Sequence, residues 1–165
     1  MTDDFDDLLS ANRTYADEFA LKDLPGVAGR GLAIVTCMDS RIDPLAILGL
    51  RAGDAKVVRN PGGRVDDTAL ESLVLACHLL QATRIMIVPH TRCAMASSTL
   101  EQVRERVGAS AGQDVAWQPF GMVADQEATL REDVHRVTSH PLIPDSVAVA
   151  GFRYDVDTGL LDRLV

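Results

Sequence analysis

Two apolar, strand-like runs in this chain each end in side chains that bind metal ions. The run 32–35 leads into Cys37, and the run 85–88 leads into His90 and Cys93. In a parallel sheet, ligands bind beyond the carboxyl ends of the strands, and neighbouring strands lie only about 4.8 Å apart. Two thiolates and one imidazole suit zinc, and three protein ligands leave its fourth tetrahedral position open, as in catalytic sites. The sequence therefore predicts a zinc centre at Cys37, His90 and Cys93.

Strand-like and helical segments alternate along the chain, which is typical of an α/β fold with a parallel sheet. We expect a mostly parallel central sheet of four strands plus a C-terminal edge strand, flanked by helices. The length fits one domain over residues 1–165. Strands are predicted at 31–36, 56–59, 84–89 and 146–152, with a last short strand ending near Val165, and helices at 3–20, 44–50, 66–81, 97–107 and 124–138.

Residues 1–22 are predicted to form an N-terminal helical arm with one apolar and one acidic face. Two interpretations stay open, because such a helix can pack on its own core or on a second subunit. The apolar positions near helical spacing are Phe5, Leu8, Leu9, Ala16 and Phe19.

The charge and cysteine content of the chain exclude several classes of protein. A net charge of −8 argues against nucleic acid or an anionic membrane as the main partner. Three scattered cysteines do not make a disulfide framework. We also expect no signal peptide and no transmembrane segment, since the start is Asp-rich and no apolar run is long enough. A reducing cytoplasm fits these features and keeps the thiols free for metal.

The helical segments also suggest local roles for hydroxyl and thiol groups. Ser97 or Ser98 is predicted to cap the helix over 97–107, with Glu101 near the third helical position. Cys77 lies on the apolar stripe of the helix over 66–81 and is expected to pack in the core. The remaining histidines, His78, His135 and His140, lack the spacing of metal ligands.

Asp39 and Arg41 follow Cys37 at alternate positions, so both can face the predicted metal. Asp39 can act as a fourth ligand or accept a hydrogen bond from water at the metal. Arg41 would keep Asp39 ionised, since an adjacent cation lowers the pKa of a carboxyl group. We predict Asp39 and Arg41 as catalytic residues, whereas the simpler interpretation is an ion pair in a loop.

A glycine pair follows the second predicted strand, in the segment 59–63. Glycine allows backbone N–H groups to approach a ligand closely, which predicts Gly62 and Gly63 as a substrate-binding loop for a small anion. A tight turn is an equally good interpretation of the same residues, and the pattern is too short for a Walker loop.

Together these motifs resemble those of the β-class carbonic anhydrases. Cys37-x-Asp39-x-Arg41, the Arg59-Asn60-Pro61-Gly62 loop and His90-x-x-Cys93 occur in the family's order and at similar separations. The resemblance continues to the final hairpin over 151–159 and is strongest with the compact branch of the family.

The resemblance implies zinc-dependent reversible hydration of CO2 to bicarbonate and a proton. It implies that Cys37, His90 and Cys93 bind the zinc and that Asp39 and Arg41 form a catalytic dyad. It also implies an obligate dimer, or a higher homo-oligomer, with the N-terminal helix over the partner and the active sites near the interface.

Two other functions remain open on the same motifs. Hydrolases of carbonyl sulfide and carbon disulfide share them, and a non-catalytic bicarbonate sensor would keep the zinc ligands. Asp39 and Arg41 argue against the sensor, because a purely structural site needs neither residue. Two positions differ from the usual His-Thr-Asp-Cys-Gly-Met of this branch, since Arg92 replaces the acid and Ala94 replaces the glycine.

Overall fold

A five-stranded sheet forms the centre of the computed structural model, which describes residues 4–165. The strands in chain order are β1 (Leu32–Cys37), β2 (Ala55–Asn60), β3 (Arg84–Val88), β4 (Ala148–Tyr154) and β5 (Leu161–Arg163). Their spatial order is β2-β1-β3-β4-β5. The first four are parallel, and β5 pairs antiparallel with β4 at the edge. The predicted fold class is therefore confirmed, including the C-terminal edge strand.

The strand β1 lies between β2 and β3 and is buried along its whole length. Its sequence is apolar except for Thr36, whose hydroxyl donates to the carbonyl of Val88 on β3 at 2.8 Å. A strand that is buried on both faces does not alternate apolar and polar residues, which explains the continuous apolar run in the sequence.

The α-helices are α1 (Asp6–Asp17), α2 (Asp67–Leu79), α3 (Ala94–Ser97), α4 (Leu100–Ala111) and α5 (Gln126–Thr138). Each lies within a few residues of a predicted segment except α3, which the sequence did not predict. The helix predicted over 44–50 is a short 3₁₀ turn at Ala46–Leu48. The predicted start of α1 at Asp3 lies outside the described residues.

The predicted cap of the fourth helix is wrong. Thr99 caps it: its Oγ1 accepts the N–H of Gln102 at 3.2 Å, and the Gln102 side chain accepts the N–H of Thr99 at 2.9 Å. Gln102, rather than Glu101, is therefore the third helical residue. Ser97 cannot be the cap because it is the last residue of α3, and Ser98 is the extended residue between the two helices.

The core lies mainly between the sheet and the helices α2 and α5. Leu73 of α2 and Leu130 of α5 are buried against Val35 and Ile87 of the central strands. Cys77 packs against the same core from α2, and burial raises the pKa of its thiol. A second cluster on the opposite side of the sheet contains Leu32, Ile34, Ile42, Val88 and Tyr154 together with Cys37 and Cys93.

The N-terminal arm stands apart from this core. Residues 4–26 are exposed along their whole length, although α1 carries an apolar face. Phe5 and Leu8 each expose about three fifths of their surface, and the rings of Tyr15 and Phe19 lie 5.7 Å apart. Within residues 4–165, none of the helices has the length and apolar character needed to cross a bilayer.

Candidate metal centre

The predicted ligands lie at the point where the strand order of the sheet reverses. After β1 the chain adds β2 on one side, and then β3 on the other side of β1. Cys37 is the last residue of β1, and His90 follows β3 by two residues. Cys93 precedes the first residue of α3. Such a reversal leaves a crevice at the carboxyl ends of the strands, where α/β proteins bind their ligands.

Cys37, His90 and Cys93 form a buried cluster of three ligand groups. One ligand atom from each residue lies within 4.8 Å of those of the other two. Two sulfurs on a tetrahedral zinc are about 3.8 Å apart, so the cluster has the scale of a single metal site. It is the one such group of at least three acidic, cysteine or histidine side chains among residues 4–165. The structure thus brings together the three residues that the sequence predicts as ligands.

The orientation of His90 leaves one ring nitrogen ready for a cation. Its Nδ1 lies 2.8 Å from the carbonyl oxygen of Thr91, which can only accept, so Nδ1 carries the proton. Nε2 then presents its lone pair. In the described part of the chain this atom is buried without a hydrogen-bond partner, and the His90 side chain is fully inaccessible. An unpaired buried acceptor is costly, and a bound metal removes that cost.

The two thiols are coupled through a mutual hydrogen bond, which favours ionisation of Cys37 over that of Cys93. The hydrogen bond with Cys93 is the main influence that lowers the pKa of Cys37 to about 4, against the opposing effect of burial. The backbone N–H groups of Asp39 and Gly62 also stabilise the Cys37 thiolate. The same contact and burial raise the pKa of Cys93, so the pair shares one proton without a cation. A divalent ion between the sulfurs would favour loss of that proton.

Asp39 and Arg41 form a two-pronged ion pair beside the cluster. Arg41 donates from Nε to Oδ1 of Asp39 at 2.9 Å and from Nη2 to Oδ2 at 2.7 Å, and its backbone N–H also donates to Oδ1. These hydrogen bonds hold the pKa of Asp39 well below its usual range. Oδ2 lies 3.8 Å from Nε2 of His90. The carboxylate is thus ionised, oriented by Arg41 and directed at the ligand cluster.

Two side chains to which the sequence assigned no role hold the ligand loops in place. Arg59 of β2 donates to the backbone carbonyl of Cys37 at 3.0 Å and to that of Asp39 at 2.7 Å. Gln126 of α5 donates to the carbonyl of His90 at 2.9 Å. Arg59 belongs to the loop motif found in the sequence, but its contacts depend on the register of β1 and β2, which pairs Arg59 with Thr36.

Comparison with known proteins agrees with this geometry. The carbonic anhydrase family profile matches residues 32–161. Beta-carbonic anhydrase 1 of Mycobacterium tuberculosis is 32% identical over 159 residues, covering 96% of each chain. The crystal structure of a carbonic anhydrase from Streptococcus mutans superimposes with a TM-score of 0.88 at 36% identity, covering 100% of this chain and 99% of that one. The chain belongs to the β-carbonic anhydrase family. The resemblance predicted from the motifs is confirmed.

The family also contains enzymes with another substrate. A carbon disulfide hydrolase of Acidithiobacillus thiooxidans is 31% identical over 153 residues, covering 80% of this chain and 76% of that relative. The β-carbonic anhydrases are zinc lyases, and membership therefore places this chain among metalloenzymes.

The glycine pair Gly62 and Gly63 packs directly against Cys37, one of the three candidate metal ligands. Gly62 and Gly63 both have positive φ, at 84° and 66°. A Cβ on Gly63 would lie 2.9 Å from the backbone nitrogen of Cys37, closer than any relaxed contact. The N–H of Gly62 interacts with the Cys37 sulfur. These contacts explain why glycine occupies the turn, and the predicted substrate-binding role of the pair stays a prediction.

Replacing Gly63 with alanine should therefore impair metal binding. The added methyl must displace the Cys37 backbone, and the positive φ adds about 1–2 kcal/mol of strain. We expect zinc per chain to fall by more than half. Gly112→Ala is the matched control, since Gly112 has φ 65° and open space around its Cβ position. Metal analysis of both purified variants tests this, and equal zinc content in the two would refute the packing argument.

The two positions that differ from the family's usual motif lie on the outer side of the ligand loop. Arg92 has a positive φ of 55°, and its guanidinium forms an ion pair with Asp157 in the turn between β4 and β5. Its carbonyl oxygen lies 3.4 Å from Nη2 of Arg41. Ala94 is exposed at the start of α3. Arg92 thus contacts the residue that holds Asp39, whereas the methyl of Ala94 does not fill the buried ligand cluster.

Proposed function

We propose that this protein hydrates CO2 reversibly to bicarbonate and a proton, with zinc bound by Cys37, His90 and Cys93. The observation that carries the proposal is the buried ligand cluster, with the unpartnered Nε2 of His90 beside an ionised Asp39. Two sulfur ligands and one nitrogen ligand make a soft site, which favours zinc over magnesium or calcium.

A zinc ion supplies Lewis acidity that makes water a nucleophile near neutral pH. The side chains of the protein supply position and charge. Asp39 accepts a hydrogen bond from the water that adds to CO2 and so orients its lone pair toward the carbon. Arg41 keeps this carboxylate ionised and, with both of its oxygens engaged, keeps it from acting as a fourth ligand. The glycine loop is proposed to bind the bicarbonate product through Gly62 and Gly63.

A stopped-flow assay of CO2 hydration, with zinc quantified per chain, tests the proposal directly. We expect a rate well above the uncatalysed one that scales with zinc content. Rates at the uncatalysed level in zinc-loaded protein would refute the activity. Since a relative hydrolyses carbon disulfide, the same preparation should be assayed with carbon disulfide and carbonyl sulfide, and faster turnover of either would favour the hydrolase alternative.

We also propose that the chain works as a homodimer or a larger homo-oligomer, as one domain with residues 1–22 as an arm. The support is the exposed apolar face of α1, which a monomer would leave in water. A groove of about 440 Å³ on the sheet offers a complementary surface, with an apolar floor that includes Leu32 and Phe152. Arg30, Arg84 and Arg163 on the same groove match the acidic face of the arm.

The free thiols in the cluster fit the cytoplasm as the working compartment.

Removal of residues 1–20 should weaken or abolish self-association. The point variant Leu8→Ser with Leu9→Ser should do the same without shortening the chain, because both side chains are exposed on the apolar face. Ser10→Ala with Arg13→Ser is the control, since it changes two exposed polar positions of α1 and leaves its acidic residues in place. Analytical ultracentrifugation should show at least a tenfold weaker dimer for the apolar variant only. A well-behaved and fully active monomer after truncation would refute this proposal.

A further inference from the structure

The buried carboxylate of Asp133 lies outside the ligand cluster and has no role in the proposed reaction. Asp133 is 3% exposed and lies on the inner face of α5. Both of its oxygens accept from Arg64, from Nε at 2.7 Å and from Nη2 at 3.2 Å. A buried ion pair adds little net stability, because desolvation offsets the attraction, but its two-pronged geometry fixes direction. The main effect of the pair is therefore to fix the position of Arg64.

Arg64 links Asp133 to the glycine loop, because its backbone forms one end of that loop. Its backbone N–H donates to Oδ1 of Asn60 at 2.8 Å, and its carbonyl accepts from Nδ2 of Asn60 at 2.7 Å. The turn from 60 to 64 is thus closed on itself, with Gly62 and Gly63 between the two anchored ends. Because Gly63 touches the backbone of Cys37 and Gly62 interacts with its sulfur, a shift of Arg64 displaces the first ligand.

The same helix reaches the second ligand loop through Gln126. Gln126 and Asp133 are seven residues apart, which is two helical turns, so both project from one face. The Gln126 amide donates to the carbonyl of His90 at 2.9 Å. The space enclosed between these groups is only about 10 Å³, room for at most about one water. Movement of the helix is therefore transmitted to both loops.

We propose that α5 is a brace for the metal centre, in which Gln126 and Asp133 are positioning residues. Asp133 acts through Arg64 on the loop that contacts Cys37, and Gln126 acts on the loop that carries His90. The inference deepens the proposed function and rests on a metal at this site. It adds two residues, 36 and 43 positions beyond His90, to the set that determines how firmly the metal is held.

The brace predicts faster metal release in variants that leave every ligand intact. Asp133→Asn removes the charge at constant size, and Gln126→Met removes the amide donor. Arg64→Lys keeps the charge but removes the two parallel hydrogen bonds from Nε and Nη2. Loss of an outer partner of a ligand usually weakens metal binding by about 10–100-fold. We expect each variant to release zinc to the chelator 4-(2-pyridylazo)resorcinol about tenfold faster than wild type. Glu127→Gln is the control, since its exposed ion pair with Arg131 lies on the same helix away from both loops.

Cobalt substitution distinguishes positioning from general stability. The thiolate-to-cobalt charge-transfer band reports the geometry of the sulfur ligands, and we expect it to shift in Asp133→Asn and Arg64→Lys but not in Glu127→Gln. A lower melting temperature with wild-type zinc release and a wild-type cobalt spectrum would overturn the brace. If Asp133→Asn does not fold, Gln126→Met alone decides, since it leaves the buried ion pair in place. Wild-type protein that holds zinc but does not hydrate CO2 would refute the proposed function while the release rates still test the brace.

Discussion

Replacing Cys37 with serine is expected to empty the metal site and abolish CO2 hydration. A serine hydroxyl stays protonated and makes a poor zinc ligand, whereas the hydrogen bond with Cys93 lowers the pKa of the Cys37 thiol and favours its thiolate. Zinc should fall from about one ion per chain to near zero, and the rate by at least about 10³-fold, because the water loses its activating ion. Elemental analysis and stopped-flow assays on protein purified without chelators measure both.

Cys77→Ser provides the matched control for this substitution. Cys77 is partly buried in the core and lies outside the ligand cluster, so its replacement should cost some stability but leave zinc content unchanged. Cys37→Ser protein that keeps full zinc and near-normal activity would show that another group holds the metal. The assignment of the site would then be wrong.

Replacing Asp39 with asparagine should lower CO2 hydration by about 10²-fold or more while leaving zinc bound. That is the usual scale for a positioned acid–base group. The amide keeps the size of the side chain but presents an N–H₂ group in place of one of the oxygens that accept from Arg41. Asp162→Asn, on the exposed edge strand, is the control and should keep wild-type rates.

The pH dependence separates the role of Asp39 from that of the metal. Since the pKa of Asp39 is held below its usual range, the carboxylate stays ionised from about pH 6 to about pH 9 and cannot cause a change of rate there. Wild-type activity should therefore rise with pH through ionisation of water at the zinc. Asp39→Asn should lower the whole profile without removing the rise.

Arg41→Ala tests the other half of the pair. Without the guanidinium, Asp39 is free to swing onto the metal, so activity should fall most at low pH while zinc remains bound. Near-normal rates of both Asp39→Asn and Arg41→Ala across this pH range would reduce the pair to a loop salt bridge.

The strand positions and the ligand cluster could be predicted because they follow from local patterns. Apolar runs ending in Cys37 and His90 identify two strands and their carboxyl ends without knowledge of the partners. The helix cap at Thr99 could not be predicted, because Ser97, Ser98 and Thr99 are three consecutive hydroxyl residues with equal capping ability. Thr99 becomes the cap because Ser97 already belongs to the short helix α3.

The residues that support the site were missed because their contacts depend on tertiary packing. Arg64 and Asp133 are 69 positions apart, and no sequence spacing connects them. Gln126 looks like an ordinary first-turn residue until α5 is placed against the sheet. The surface on which α1 packs could not be predicted either, since an amphipathic helix does not specify which molecule it packs on.

The separation of the ligands along the chain has a consequence for biosynthesis. Cys37 and His90 are 53 positions apart, so the metal site forms only after β3 has paired with β1. Closing so long a loop is costly in entropy, and the pairing of β1 with β3 closes the same loop. A ribosome that has released the first 93 residues has exposed all three ligands. Gln126 and Asp133 emerge later, so the proposed brace predicts that a growing chain captures zinc early and retains it firmly only when its last third has folded.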